Sequence, residues 1–182
     1  TETLMSLVLD QPFARVLDLG TGTGCIALTL LAERPEARGV AVDLSERALD
    51  VARENAVRLG VEARSEFVQS DWFDAVEGAF DLIVSNPPYI DAAEMLDLSP
   101  EVRLHEPELA LTPGADGTAP YTIIAAGAMT HLAPMGRVLV EIGYRQGPSV
   151  SATFEGAGLS KVTVHQDLNG HDRVVSAIKE QV

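Results

Sequence analysis

Arg15-Val16-Leu17-Asp18-Leu19-Gly20-Thr21-Gly22-Thr23-Gly24 joins an apolar run to a loop with glycine at every second position. The run reads as a strand and the glycines as a tight turn into a helix. Each glycine tolerates positive φ and lets a ligand approach the backbone without a Cβ in the way. A dinucleotide fingerprint would need glycine at position 25, where Cys25 stands, and no Gly-Lys-Ser/Thr follows to hold a triphosphate. The pattern G-x-G-x-G instead suits a nucleoside-bearing ligand.

Outward from this loop, strand and helix signals alternate. The helical run Thr23 to Arg34 stops at Pro35; a strand over Arg38 to Val42 and a helix over Glu46 to Leu59 follow, then strands over Arg64 to Gln69 and Phe80 to Ser85. Ser45 is the expected N-cap and Gly60 the C′ glycine of the second long helix. Further on, Tyr121 to Leu132 reads as a helix, Gly136 as a turn, Arg137 to Ile142 as a strand, and Gln146 to Ala157 as a helix with Pro148 in its first turn. Lys161 to Gln166 and Arg173 to Ile178 have no room for a helix between them and should pair antiparallel. The alternation predicts an α/β domain with a mostly parallel sheet. Thr1 to Asp10 carries Leu4, Leu7 and Val8 at helical spacing. It starts in mid-pattern without a methionine, so a preceding segment is expected.

At 182 residues, 46% hydrophobic and 22% charged, the chain fits one globular domain. No apolar stretch reaches the roughly 18 residues needed to span a bilayer, and no signal-peptide pattern opens the chain, so a cytoplasmic protein without a membrane partner is expected. Cys25 is the only cysteine, which excludes an intramolecular disulfide and reads as a small packed residue at the helix start. His105, His131, His165 and His171 lack ligand spacing, so no metal is expected. The net charge of −14 repels a phosphate backbone and makes nucleic acid an unexpected direct partner.

If the first five strands run 3-2-1-4-5, their carboxyl ends place the glycine loop, Asp43, Asp71 and Asn86 on one rim, at the topological switch point. Asp43 ends the second strand, where a carboxylate accepts hydrogen bonds from both hydroxyls of a ribose. Asp71-Trp72 follows the third strand and offers a polar contact and a ring edge to an adenine. A plain strand-to-helix turn remains the simpler reading of the loop alone, and Trp72 read alone could equally cap the core.

Asn86-Pro87-Pro88-Tyr89 closes the run Asp81-Leu82-Ile83-Val84-Ser85. A planar NH2 group keeps its lone pair in conjugation, so its attack on a methyl sulfonium is chiefly a problem of positioning. The Asn86 side-chain carbonyl and the backbone carbonyl after it can accept the two N–H protons, while Pro87 and Pro88 stiffen the backbone and Tyr89 packs on the planar group. Orientation supplies about 7–11 kcal/mol of a barrier, more than the roughly 10²–10⁴-fold of general-base help, so a motif lacking His or a carboxylate is consistent. With the glycine loop, Asn86, Pro87 and Tyr89 as catalytic residues read as S-adenosyl-L-methionine-dependent N-methylation.

Beyond these two motifs, several segments look like one family: Gln69-Ser70-Asp71-Trp72-Phe73, Asn86 to Ile90, Glu101-Val102-Arg103, Glu106-Pro107 with Ala110-Leu111, Glu141-Ile142-Gly143, Gln146-Gly147, and Asp167-Leu168 through Asp172-Arg173-Val174. The chain resembles the protein-(glutamine-N5) methyltransferases that modify peptide chain release factors. That resemblance implies a class I S-adenosylmethionine-dependent methyltransferase fold, Rossmann-like, with a seven-stranded mixed sheet in the order 3-2-1-4-5-7-6 and the last strand antiparallel. The implied reaction methylates the amide of the glutamine in the Gly-Gly-Gln motif of bacterial release factors. Gly20, Thr21, Gly22, Thr23, Gly24, Asp43, Asp71, Trp72 and Asn86 would contact the cofactor; Asn86, Pro87, Pro88 and Tyr89 would form the glutamine pocket. Thr1-Glu2 looks like the end of the family's Arg-Pro-x-Thr-Glu segment. Residues 1–182 then correspond to the catalytic domain, without the family's helical N-terminal domain. Thr118-Ala119-Pro120 departs from the family's apolar continuation, and the stretch from Asp91 to Pro120 reads as a long functional loop.

Three other readings compete. One is a glutamine methyltransferase acting on a ribosomal protein, the second an adenine-N6 methyltransferase, the third an inactive scaffold that holds S-adenosylmethionine without turnover.

Overall fold

The parallel sheet forms where the sequence offers runs that are apolar on both faces. In a computed structural model, which describes residues 1–88 and 117–181, these runs are β1 (Arg15–Leu19), β2 (Arg38–Asp43) and β4 (Phe80–Ser85), with β3 (Ser65–Gln69) on the edge. Helices α1 (Glu2–Leu9), α2 (Cys25–Glu33) and α3 (Glu46–Leu59) precede or connect them. After residue 116 come α4 (Ala119–His131), β5 (Leu132–Glu141), α5 (Gly147–Gly156), β6 (Ser160–Gln166) and β7 (Asp172–Ile178). The strand order is β3-β2-β1-β4-β5-β7-β6, as expected, with β7 antiparallel to both neighbours and the rest parallel.

Alternation along each strand divides the core between the two faces of the sheet. Leu17, Leu19, Val40, Val42, Ile83, Val138, Val140 and Val175 pack with Tyr121 and Ile124 of α4 and with Val150 and Phe154 of α5. Val16, Leu82, Val84, Leu139 and Val174 face Leu4 and Val8 of α1, Ile26, Leu30 and Leu31 of α2, and Ala56 of α3. The predicted caps hold. The Ala48 amide donates to Ser45 Oγ at 3.3 Å, and Gly60 closes α3 at φ 69°.

Four local expectations need correction. The helix ending at Leu132 and the turn at Gly136 give way to a strand that starts at Leu132. Phe80 pairs with Leu132 but Leu82 with Arg137, so residues 133–136 bulge out of the ladder. The bulge is held from far along the chain: Met135 N donates to the Lys179 carbonyl, Lys179 N to the Gly136 carbonyl, and Lys179 Nζ to the Leu132 carbonyl. Arg64 lies in a short 3₁₀ turn (Glu62–Arg64) before β3, its guanidinium donating to the carbonyls of Leu31, Arg34 and Ala37. Ala119 and Pro120 begin α4, where proline is tolerated in the first turn, so they are not loop. Cys25 does begin α2, but it is exposed and not packed.

The last turn of α1 contains no basic residue. Arg137 of β5 supplies the missing donors, to the carbonyls of Leu7 (3.3 Å), Val8 (2.8 Å) and Gln11 (3.0 Å). Burial holds its guanidinium below the usual arginine range, partly offset by Asp10. Arg137→Ala removes the guanidinium donors from these carbonyls and is expected to lower stability by roughly 3 kcal/mol in urea denaturation.

Candidate active site

Parallel pairing sets the site. Leu19 pairs with Ser85 across β1 and β4, so the chain leaves both strands at the same height and Gly20 stands beside Asn86. The buried Ser85 hydroxyl donates to the Leu19 carbonyl at 2.8 Å and ties the two strand ends together. On the other side of β1, Leu19 pairs with Val42, and β2 runs on to Asp43.

The glycine loop is held by backbone amides and two carboxylates. Thr21 N donates to the Val42 carbonyl (2.8 Å) and Gly22 N to Asp43 Oδ2 (2.8 Å), while Ser45 N donates to Asp43 Oδ1 (2.9 Å). Asn55 Nδ2 secures the Thr23 carbonyl at 3.0 Å. Asp43 therefore bridges the first and second loops, and each of its oxygens keeps a lone pair for a further donor. Gly22 takes φ 57° and a Cβ there would meet open space; at Gly24, φ 85°, a Cβ would fall 2.7 Å from Leu28 Cδ1. The first glycine leaves the rim clear, and the last lets the helix pack.

Asp18 stands inside the strand run Arg15–Leu19, and the sequence alone gives it no role. It is 1% exposed, accepting hydrogen bonds at Oδ2 from the Thr21 hydroxyl (2.7 Å) and Ala27 N (3.1 Å). Its Oδ1 is shielded and has no hydrogen-bond partner among the described residues. Burial, aided by the charge of Asp43 and opposed by its two hydrogen bonds, pushes its pKa up to about 7. A carboxylate within an otherwise apolar strand end is the signal that could have marked it.

The third segment is tethered to the same rim through Ser70, whose N donates to the Asp43 carbonyl at 3.1 Å and whose hydroxyl accepts from Ala75 N at 2.9 Å. Asp71 is exposed beside it. Trp72 is half-buried against the core in the left-handed region, φ 49°, a conformation that a bulky side chain adopts only where its surroundings impose it. Phe73 stacks on His131 of α4, ring centroids 4.8 Å apart, and a Cβ at Gly127 would overlap its ring. Asn86 and Pro88 are half-buried and Pro87 is buried. Of the expected site residues, Gly20 to Gly24, Asp43, Asp71, Trp72 and Asn86 to Pro88 therefore occupy the carboxyl rim of the sheet; Tyr89 lies outside the described residues. Among those residues no group of three or more His, Cys, Asp or Glu could hold a metal ion.

Residues 1–106 match the methyltransferase small domain family. The chain belongs to that family. It is 61% identical over 177 residues to the release factor glutamine methyltransferase of Cereibacter sphaeroides, covering 97% of this chain and 64% of that one. With the protein of the same name from Agrobacterium fabrum the identity is 49% over 173 residues, 95% and 60% of the two chains. The chain thus spans less than two thirds of the length of these curated relatives. A methyltransferase structure from Pyrococcus furiosus superposes with a TM-score of 0.74 at 17% identity, over 99% of this chain and 81% of that one. The fold is that of the class I S-adenosylmethionine-dependent methyltransferases.

The raised pKa of Asp18 sets a sign for pH dependence. Folding favours its protonated form, so this group stabilises the fold fully below the unfolded value of 3.8 and the contribution is lost as pH rises through about 7. Relative to Asp18→Asn, the native chain is expected to lose stability between pH 4 and pH 7 in denaturation curves.

Proposed function

We propose that this chain transfers a methyl group from S-adenosyl-L-methionine to the side-chain amide N5 of the glutamine in the Gly-Gly-Gln motif of bacterial peptide chain release factors. The observation that carries this reading is the register of β1 and β4, which sets the glycine loop and Asn86-Pro87-Pro88 side by side. Residues 1–182 act as the catalytic domain. The names borne by the relatives support the substrate, and the net charge of −14 disfavours the nucleic-acid alternative. The reaction belongs to the cytoplasm, where release factors work, and needs neither metal nor membrane.

The rim fits such a cofactor. Clear space over Gly22 admits it, Asp43 retains lone pairs for ribose hydroxyls, and the shielded Asp18 Oδ1 awaits a donor of positive charge. Gly20, Thr21, Gly22, Thr23, Gly24, Asp43, Asp71, Trp72 and Asn86 would hold it, and when bound it supplies a methyl group on an electron-poor sulfur.

The chain's own contribution is orientation. Asn86 Oδ1 and the backbone carbonyl after it accept the two N–H protons of the glutamine amide, turning its lone pair out of conjugation and toward the methyl carbon. Pro87 and Pro88 fix these acceptors, and Tyr89 packs on the amide plane. The nitrogen becomes acidic only once the N–C bond has formed, so its proton leaves late, to water, without a dedicated base.

Incubating the chain with purified release factor and S-adenosyl-L-methionine is expected to add one methylene mass to the Gly-Gly-Gln glutamine. Methylation of a ribosomal protein or of adenine instead would overturn the assignment. Asn86→Ala is expected to cut turnover by at least about 100-fold while calorimetry shows a much smaller loss of cofactor affinity, since Asn86 is one of nine residues that would hold the cofactor. Unchanged turnover would remove Asn86 from the mechanism.

A further inference from the structure

The Asp74 amide donates to the Asp71 carbonyl at 3.1 Å, which makes Trp72 the first central residue of a tight turn, and there its φ is 49°. Glycine, asparagine and aspartate ordinarily take that position. A bulky side chain holds it only where contacts outside the turn compel it. The Ala75 amide donates to Ser70 Oγ at 2.9 Å and the Val76 amide to the Phe73 carbonyl at 3.0 Å, but neither bond involves Trp72 itself.

The outside contact is made by its neighbour. The Phe73 ring lies over Gly127 of α4, in a notch where a Cβ would overlap ring atoms Cδ2, Cε2 and Cζ. Gly127 is half-buried inside the helix and is not among the glycines with positive φ, so the fold uses its missing side chain and not its conformational freedom. A glycine within a helix is destabilising relative to alanine, and the nearest atoms that an added Cβ would meet all belong to that one ring. One turn further on, His131 Nδ1 donates to the Gly127 carbonyl at 2.9 Å. Its imidazole lies against Phe73, with centroids 4.8 Å apart and planes 22° from parallel. Gly127 is thus the floor of the notch and His131 its wall.

We infer that Gly127 is a positioning residue: its notch seats Phe73, and Phe73 holds Trp72 in the strained turn that presents the indole to the adenine of the cofactor. With the notch filled, Phe73 has to leave, Trp72 relaxes to negative φ, and its ring turns away from the ligand. The inference rests on the cofactor contacts proposed above. It extends them to α4, an element that no motif in the sequence connects to the cofactor.

Trp72 is the only tryptophan, so its fluorescence reports on this turn alone. Gly127→Ala fills the notch, and Phe73→Ala empties it. In the full chain, under conditions where urea denaturation shows each variant folded, both are expected to shift the Trp72 emission of the free protein. Both are also expected to weaken S-adenosylhomocysteine and adenosine about tenfold in calorimetry, the scale of one lost base–aromatic stack. In the double variant the added methyl no longer meets a ring, so its affinity is expected to stay within about threefold of Phe73→Ala alone. A merely structural role would lower the urea midpoint and leave the affinity of the folded chain unmoved. Native emission and affinity in Gly127→Ala, or losses that add in the double variant, would overturn the inference. Should Gly127→Ala not fold, Phe73→Ala decides, and native emission and affinity there would overturn it as well. A native chain that binds S-adenosylhomocysteine with no change in Trp72 emission would overturn the placement of Trp72 at the cofactor, and this inference with it, while leaving the methyl transfer to be judged on release factor.

Discussion

The hydrogen bond from the Ser85 hydroxyl to the Leu19 carbonyl, inside the parallel pairing of β1 and β4, is the contact on which the rest depends. Strand order reverses at this pair, so the loops that leave it turn to opposite faces and open a crevice between them. A slip of one residue would turn every side chain of β4 to the other face and carry Asn86 away from the glycine loop. Leu82, Ile83 and Val84, all fully buried, oppose that slip through the cores on both faces.

Around this crevice, the site is built from backbone donors and fixed carboxylates, with no cluster of titratable catalytic groups among the described residues. Asp43 takes two amides from two different loops, so the acceptor suited to a ribose also sets the shape of the glycine turn. Asp18 braces the same turn by accepting from the Thr21 hydroxyl and the Ala27 amide, at the cost of burying a carboxyl whose pKa rises to about 7. The strained backbone at Trp72 lies in the same rim, with its neighbour Phe73 wedged onto α4 at Gly127. Such a rim suits a reaction whose barrier lies in orientation more than in proton transfer.

Much of this was readable because it rests on local signals. Both-face apolar runs mark β1, β2 and β4; Ser45 and Gly60 mark the ends of α3; the five residues between β6 and β7 leave no room for a helix and force an antiparallel pair. What escaped depends on contacts distant in sequence. The bulge that starts β5 early is held by Lys179, 47 residues beyond Leu132, and the end of α1 is capped by Arg137 from about 130 residues away. Asp18 escaped because its significance is its burial, which residue identity does not reveal.

The most direct measurement is a crystal structure of the chain with S-adenosylhomocysteine. The account requires the ribose on Asp43, the amino-acid end near Asp18, and the sulfur turned toward Asn86. A ligand seated at the amino ends of the strands, or one whose sulfur faces away from Asn86, would contradict it.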